Sequence, residues 1–320
     1  MLVAGAVILL FFGSLIYKLR SSSEQTTAVE VVSSLDTLLT SARVSAGTIQ
    51  NTSLGSVTVG FECNAYTALG SSQGIRHAIF APKSLSGQAL LWAEQWQFPF
   101  HVTNFLYLSS NGLRSILVFS EKDSLFNSLV SELPDALNLD IFPEERMRDI
   151  RDHKELAVRL IFLGVEPSLP QSLRGRKDSS VSAVRITPQQ GEGFGRVTYY
   201  RKEGAGLKMH ISLYYIDLPS LVAALISDPD VYECSMQRAF ESLNRVAGVY
   251  IERNRMLADD PRISTVCGNH YKNNHFEELA GFSSGVDKLD EAKIRELIGH
   301  LKAIELENEA AQADSCPLLY

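Results

Sequence analysis

Residues 2–17, LVAGAVILLFFGSLIY, carry no charged side chain, and Lys18 and Arg20 are the first charges of the chain. As a helix this run rises about 24 Å, somewhat less than the ~30 Å of a hydrocarbon core. Met1 at one end and Tyr17 with a snorkelling Lys18 at the other make up the difference. A buried core helix is the competing reading, but the run is apolar on every face and stands ahead of everything it would pack into. A cleaved signal peptide is disfavoured because no charged segment precedes the run and SSSEQTTA supplies no small-x-small cleavage site. The pattern predicts a retained single-span anchor over 1–20. Beyond Ser21–Ser23, Val29, Val32, Leu35, Leu38 or Leu39 and Ala42 recur at the helix period, with Gly47 as a stop. This predicts a helical stalk over 21–50.

From residue 55 the period becomes two. Val57, Val59, Phe61 and Cys63 alternate with Thr58, Gly60 and Glu62, the pattern of a half-buried strand. HAIFAP (77–82) predicts another strand. Phe98-Pro99-Phe100 breaks the aromatic stretch that follows, and 101–108 and 114–120 then flank Ser109-Ser110-Asn111-Gly112. Asn-Gly between two apolar runs predicts a hairpin. Asp123 is placed to cap a short helix presenting Leu125, Phe126, Leu129, Val130 and Leu133 on one face and ended by Pro134. The densely charged EERMRDIRDHKE (144–155) reads as a solvated helix face with i,i+4 pairs. Strands are expected at 156–164 and 181–188, and a second hairpin at 196–202 and 207–217 around Glu203-Gly204-Ala205-Gly206. From Pro219 onward only helical patterning remains, at 219–227, 229–258 and 287–313. Strands first and helices last predict an α+β fold with a mixed, mainly antiparallel sheet. The expected divisions are the anchor, the stalk, an α+β head at 51–218 and a helical C-terminal region at 219–320.

An apolar N-terminal helix running into an amphipathic one and then a strand-rich domain resembles the architecture of type IV pilin-like surface proteins. The resemblance covers about 50 of the 320 residues. It implies a surface location and assembly with other envelope proteins or with itself. Such proteins typically carry a basic leader and an acidic residue near the start of the mature helix. Here Ala4, Gly5 and Ala6 fill the place of that acid. The stretch from Ile79 to Leu108 is also similar to uncharacterised membrane-anchored proteins of small-genome archaea, a resemblance that implies no activity.

Charge then bears on partners and sidedness. Thirty Lys and Arg oppose 37 Asp and Glu, a net charge of −7, which argues against nucleic acid as a partner while leaving room for a local basic patch. The lipid bilayer, through residues 2–17, is the partner the pattern implies. Lys18 and Arg20 after the span favour a cytoplasmic head. Asn51-Thr52-Ser53, a glycosylation sequon, and an even number of cysteines favour the outside. The extracytoplasmic orientation is the expected one.

The candidate chemistry is sparse. GEGFG (191–195) precedes a strand, whereas a phosphate loop must open a helix, so it reads as a loop. Cys267, His270 and His275, with Cys234 upstream, form the one set that matches zinc chemistry, although the spacing fits no standard finger. A Cys234–Cys267 disulfide competes with that reading, with Cys63 and Cys316 left to form a second bridge; unpaired thiols are the other alternative. A helix from Glu233 to Leu257 would have to end early or bend, for example at Gly248, for those sulfurs to meet. Ser72 in Gly70-Ser71-Ser72-Gln73-Gly74 matches a nucleophile elbow by letters alone. His77, His101 and His210 lie in strand-like runs and read as packed residues, and Asp259-Asp260 before Pro261 reads as a turn. No catalytic residue and no cofactor is expected. Trp92, Trp96, Phe98, Phe100, Phe105 and Tyr107 form an aromatic belt that reads either as core or, if exposed, as a partner surface. The function expected is binding, scaffolding or assembly in the envelope, with a membrane-tethered hydrolase as the alternative. A concave pocket collecting His, Asp and Ser would favour the hydrolase, and a flat aromatic patch would favour binding.

Overall fold

The structure, a computed structural model, describes residues 29–154, 156–286 and 288–320. The expected span lies outside them, and no helix among the described residues is long and apolar enough to cross a membrane. The amphipathic stretch forms α1, residues 29–42. Its stripe, Val32, Leu35, Leu39 and Ala42, is buried in one core with Val59, Phe61, Tyr66, Leu91 and Leu106. This part of the expected stalk is therefore built into the head.

Strands β1 (Ile49–Ser53), β2 (Val59–Phe61), β3 (Ala65–Ala68), β4 (Ser71–Gly74), β5 (Ile79–Phe80), β6 (Ser84–Leu85), β7 (Gln88–Phe98) and β8 (Phe100–Ser110) come next. They make two four-stranded sheets, in the orders β1-β7-β8-β5 and β4-β3-β2-β6. Next come β9 (Leu113–Phe119), α2 (Ser124–Glu132), β10 (Leu139–Pro143), β11 (Ala157–Leu163), β12 (Val181–Pro188), β13 (Gly195–Glu203) and β14 (Gly206–Tyr215). Their strands form a six-stranded sheet in the order β10-β9-β11-β12-β13-β14. The chain ends in α3 (Leu218–Ile226), α4 (Pro229–Asp259), the short α5 (Ser264–Cys267), α6 (His275–Ser284) and α7 (Glu291–Ala313). The α+β class holds, with antiparallel and mixed sheets and C-terminal helices.

The hairpin expected at Asn111-Gly112 does not form. β8 pairs antiparallel with β7 and parallel with β5, while β9 pairs parallel with β10 and β11. The turn hands the chain from one sheet to another. The true hairpin is β7–β8, with Phe98 paired to Phe100 around Pro99. The physical reason lies in β9, all seven of whose residues are buried. A strand buried on both faces belongs inside a parallel sheet rather than in a half-solvated hairpin. The hairpin at 196–217 does form, with Glu203 paired to Gly206 and Gly204 at φ +58, where a side chain would be strained. The charged run at 144–155 makes only a 3-10 helix, Glu144–Asp149, with no buried residue.

α3 shows how the layers are held. Seven of its residues, Ser220 to Ile226, are buried, which is the environment that an all-round apolar helix requires. Asp217 caps its start by accepting from Ser220 N at 2.8 Å. At its other end, Arg159 of β11 is 3% exposed and donates to the carbonyls of Leu225, Ile226 and Ser227 at 3.0, 2.7 and 2.8 Å. A second guanidinium nitrogen reaches Asp228 at 3.0 Å. A cation thus closes the carbonyl end of the buried helix, where the helix dipole favours it.

All four cysteines are bonded, but as Cys63–Cys234 and Cys267–Cys316, with Cα separations of 5.4 and 5.7 Å. The expected Cys234–Cys267 and Cys63–Cys316 pairs are thereby corrected. α4 runs unbroken to Asp259, so Cys234 lies about 38 Å from its end, and eight further residues reach back at most about 27 Å. Each sulfur meets its partner across the fold instead.

A candidate anion-binding cavity

A cavity of about 550 Å³ opens between the end of α1, the loop before β5, strands β7 and β8, and α4. Arg43 enters from the segment after α1. That segment is pinned by two bonds, Asn104 Nδ2 of β8 donating to the Arg43 carbonyl at 2.8 Å and Gly47 N donating to the Ala93 carbonyl at 2.8 Å. Arg76 and His77 enter from the loop between β4 and β5, anchored by Ile75 N on the Asn64 carbonyl at 2.8 Å. Gln95 comes from β7, and His101, Thr103 and Asn104 from β8. On α4, Leu243 and Ala247 are buried, and the neighbouring Ser242, Arg245 and Val246 line the cavity.

The charge here is opposite to that of the chain as a whole. Arg43, Arg76 and Arg245 have no carboxylate partner among the described residues. Arg43 Nη1 donates to His77 Nε2 at 3.4 Å, and Arg245 Nη2 donates to Ser242 Oγ at 2.9 Å. Burial holds the His77 imidazole below its ordinary value, and the charges of Arg43, Arg76 and Arg245 push the same way against Asp36. His77 is therefore neutral at pH 7, with Nε2 as an acceptor. Unpaired guanidiniums around one concavity, without a carboxylate in the lining, present forked donors to an anion.

The zinc reading is overturned, because Cys234 and Cys267 are bound in disulfides and offer no thiolate. His270 instead bonds Glu307 Oε1 through Nδ1 at 2.6 Å and Asp314 Oδ2 through Nε2 at 2.9 Å, beside the Cys267–Cys316 bridge. His275 lies at the start of α6, 3.9 Å from Glu278. Among the described residues no group of side chains is arranged to hold a metal ion. The hydrogen bond to Glu307 raises the His270 pKa above its ordinary value, and Asp314 adds to the effect. A histidine raised on folding contributes its stability in full below its unfolded value and loses it as pH rises through the folded one. The stability gap between the wild type and His270→Gln should therefore be widest below the imidazole's unfolded value and close as pH rises through the folded one, as read by denaturant midpoints. A gap independent of pH would contradict the clamp.

The partner-surface reading of the aromatic belt is also overturned. Trp92, Trp96, Phe100, Phe105 and Tyr107 are at most 4% exposed and Phe98 packs against the same core, because these large rings fill the space between the sheets and α3–α4. Ser72 lies in β4, paired with Thr67, rather than on a strand-to-helix turn. GEGFG links β12 to β13. Asp260 is taken up by Arg262, at 2.7 Å. His210 is exposed on β14, whereas His77 and His101 both line the cavity that the sequence did not reveal. No family model, no curated protein and no solved structure matches the chain.

Proposed function

We propose that the chain is a membrane-anchored envelope protein whose head binds an anionic ligand in the Arg43–Arg76–Arg245 cavity. The observation that carries this reading is the convergence of three arginines, unpaired with carboxylates among the described residues, on one concavity of an acidic protein. Binding is favoured over hydrolysis because the cavity collects His77, His101 and Ser242 but no carboxylate. Ser242 Oγ moreover donates to the Arg238 carbonyl at 3.0 Å, so no nucleophile–base–acid chain is assembled. Two disulfides support an oxidising surroundings and hence an extracytoplasmic head. The order of apolar run, amphipathic α1 and strand-rich head supports the pilin-like, envelope-associated reading.

Phosphate should raise the Tm of the full chain in non-ionic detergent as its concentration rises, by mass action. Arg43→Gln and Arg245→Gln should each weaken phosphate binding about ten-fold or more, since a charge-assisted hydrogen bond contributes about 1.5–3 kcal/mol. A Tm indifferent to phosphate at constant ionic strength would refute the site. The anchor and its sidedness are tested separately. The full chain should resist alkaline extraction of membranes, and its head should be degraded by protease added to intact cells. Release by carbonate, or protection until lysis, would overturn that part.

A further inference from the structure

The lining of the cavity narrows the chemistry of its ligand. Its volume of about 550 Å³ leaves room well beyond one inorganic anion. No Phe, Tyr or Trp lines it, and the only rings among the lining residues are the small imidazoles of His77 and His101, a poor platform for a nucleobase. No carboxylate lines it, which disfavours amines and metal ions. Between the arginines stand neutral hydrogen-bonding groups instead, Gln95, Thr103, Asn104 and the neutral His77. Asn104 is 6% exposed; its amide nitrogen is spent on the Arg43 carbonyl, and its Oδ1 is buried without a donor. Asn104 therefore shapes the wall, and Gln95 and Thr103 are left to meet hydroxyls, which both donate and accept, whereas a bare phosphate at neutral pH chiefly accepts.

On the premise that the cavity binds anions, we infer that its ligand is an acidic sugar unit, rich in hydroxyls and carrying a phosphate or carboxylate. The guanidiniums of Arg43, Arg76 and Arg245 take the anionic group, and Gln95 and Thr103 take the hydroxyls.

The test is calorimetric titration of the full chain in non-ionic detergent with glucose 6-phosphate against inorganic phosphate, and glucuronate against acetate. Glucose alone serves as the uncharged control. At least one acidic sugar is expected to bind ten-fold or more tightly than its bare anion, with no measurable binding of glucose. Gln95→Ala, at an exposed rim position, and Thr103→Val should each shrink that preference while leaving phosphate affinity within about two-fold. Gln95→Ala keeps the test open if Thr103→Val fails to fold. Equal affinity for acidic sugar and bare anion overturns the sugar assignment and leaves the anion site standing. Absence of binding by every anion overturns both.

Discussion

Replacing Cys63 and Cys234 together with alanine should destabilise the folded chain by about 5 kcal/mol in the chain-entropy model. The bridge spans a sequence separation of 171 and ties the small β4-β3-β2-β6 sheet to the start of α4. Removing it frees a very long loop in the unfolded ensemble, and loop-closure entropy grows with the logarithm of that length. The native state also loses a local clamp, since Arg238 one turn further along α4 donates to the Cys63 carbonyl and to Asn64 Oδ1. Removal of Cys267 and Cys316, separated by 49 residues, should cost about 4 kcal/mol by the same argument. Against a total stability of about 5–15 kcal/mol, either loss is large. Urea denaturation of oxidised wild type and the two double variants measures both. A loss below about 1 kcal/mol for the Cys63–Cys234 pair would contradict this cross-link.

Trp96→Ala is the second large effect. Trp96 is fully buried, stacks on Phe105 at 5.0 Å, and meets Phe98 and Phe240 edge-on at 5.1 and 5.9 Å. Truncating such a ring costs about 3–5 kcal/mol through lost burial and the cavity left behind. Its Nε1 also donates to Asp217 Oδ2 at 3.0 Å, the same carboxylate that caps α3. Trp96→Phe keeps most of the volume but leaves that buried carboxylate short of a donor, for about 1–3 kcal/mol. The order Ala, then Phe, then wild type should appear in the denaturant midpoints. Phe98→Ala, at a half-buried position, should cost less than Trp96→Ala. Equal small losses for all three would mean that the belt is not core.

What the sequence disclosed depended on how local the physics was. The β13–β14 hairpin was legible because Val197, Tyr199, Leu213 and Tyr215 alternate and Gly204 supplies a turn within a few residues. The Asp123 cap was legible for the same reason, with Phe126 N donating to its Oδ1 at 2.7 Å. β9 was misread because Asn111-Gly112 is a local hairpin signal, whereas the partner strands are decided by burial on both faces. The disulfides were misread because distance along the chain was weighed without knowing which sheet α4 lies on. The cavity escaped notice because its cations are scattered from Arg43 to Arg245 and the net charge has the opposite sign. A signal was present nonetheless. From 37 to 120 the acids are Glu62 and Glu94 alone, against Arg43, Arg76, Lys83 and Arg114. Arginines in an acid-poor stretch have few local carboxylates to pair with.

Those unpaired arginines make the central claim directly observable. The full chain should be crystallised and soaked with tungstate, an electron-dense tetrahedral oxyanion, and its anomalous difference density measured. The expected result is a peak in the cavity within hydrogen-bonding distance of the Arg43, Arg76 and Arg245 guanidiniums, absent from an Arg43→Gln/Arg245→Gln variant. Tungstate bound only elsewhere, or a peak that persists in the variant, would contradict the account.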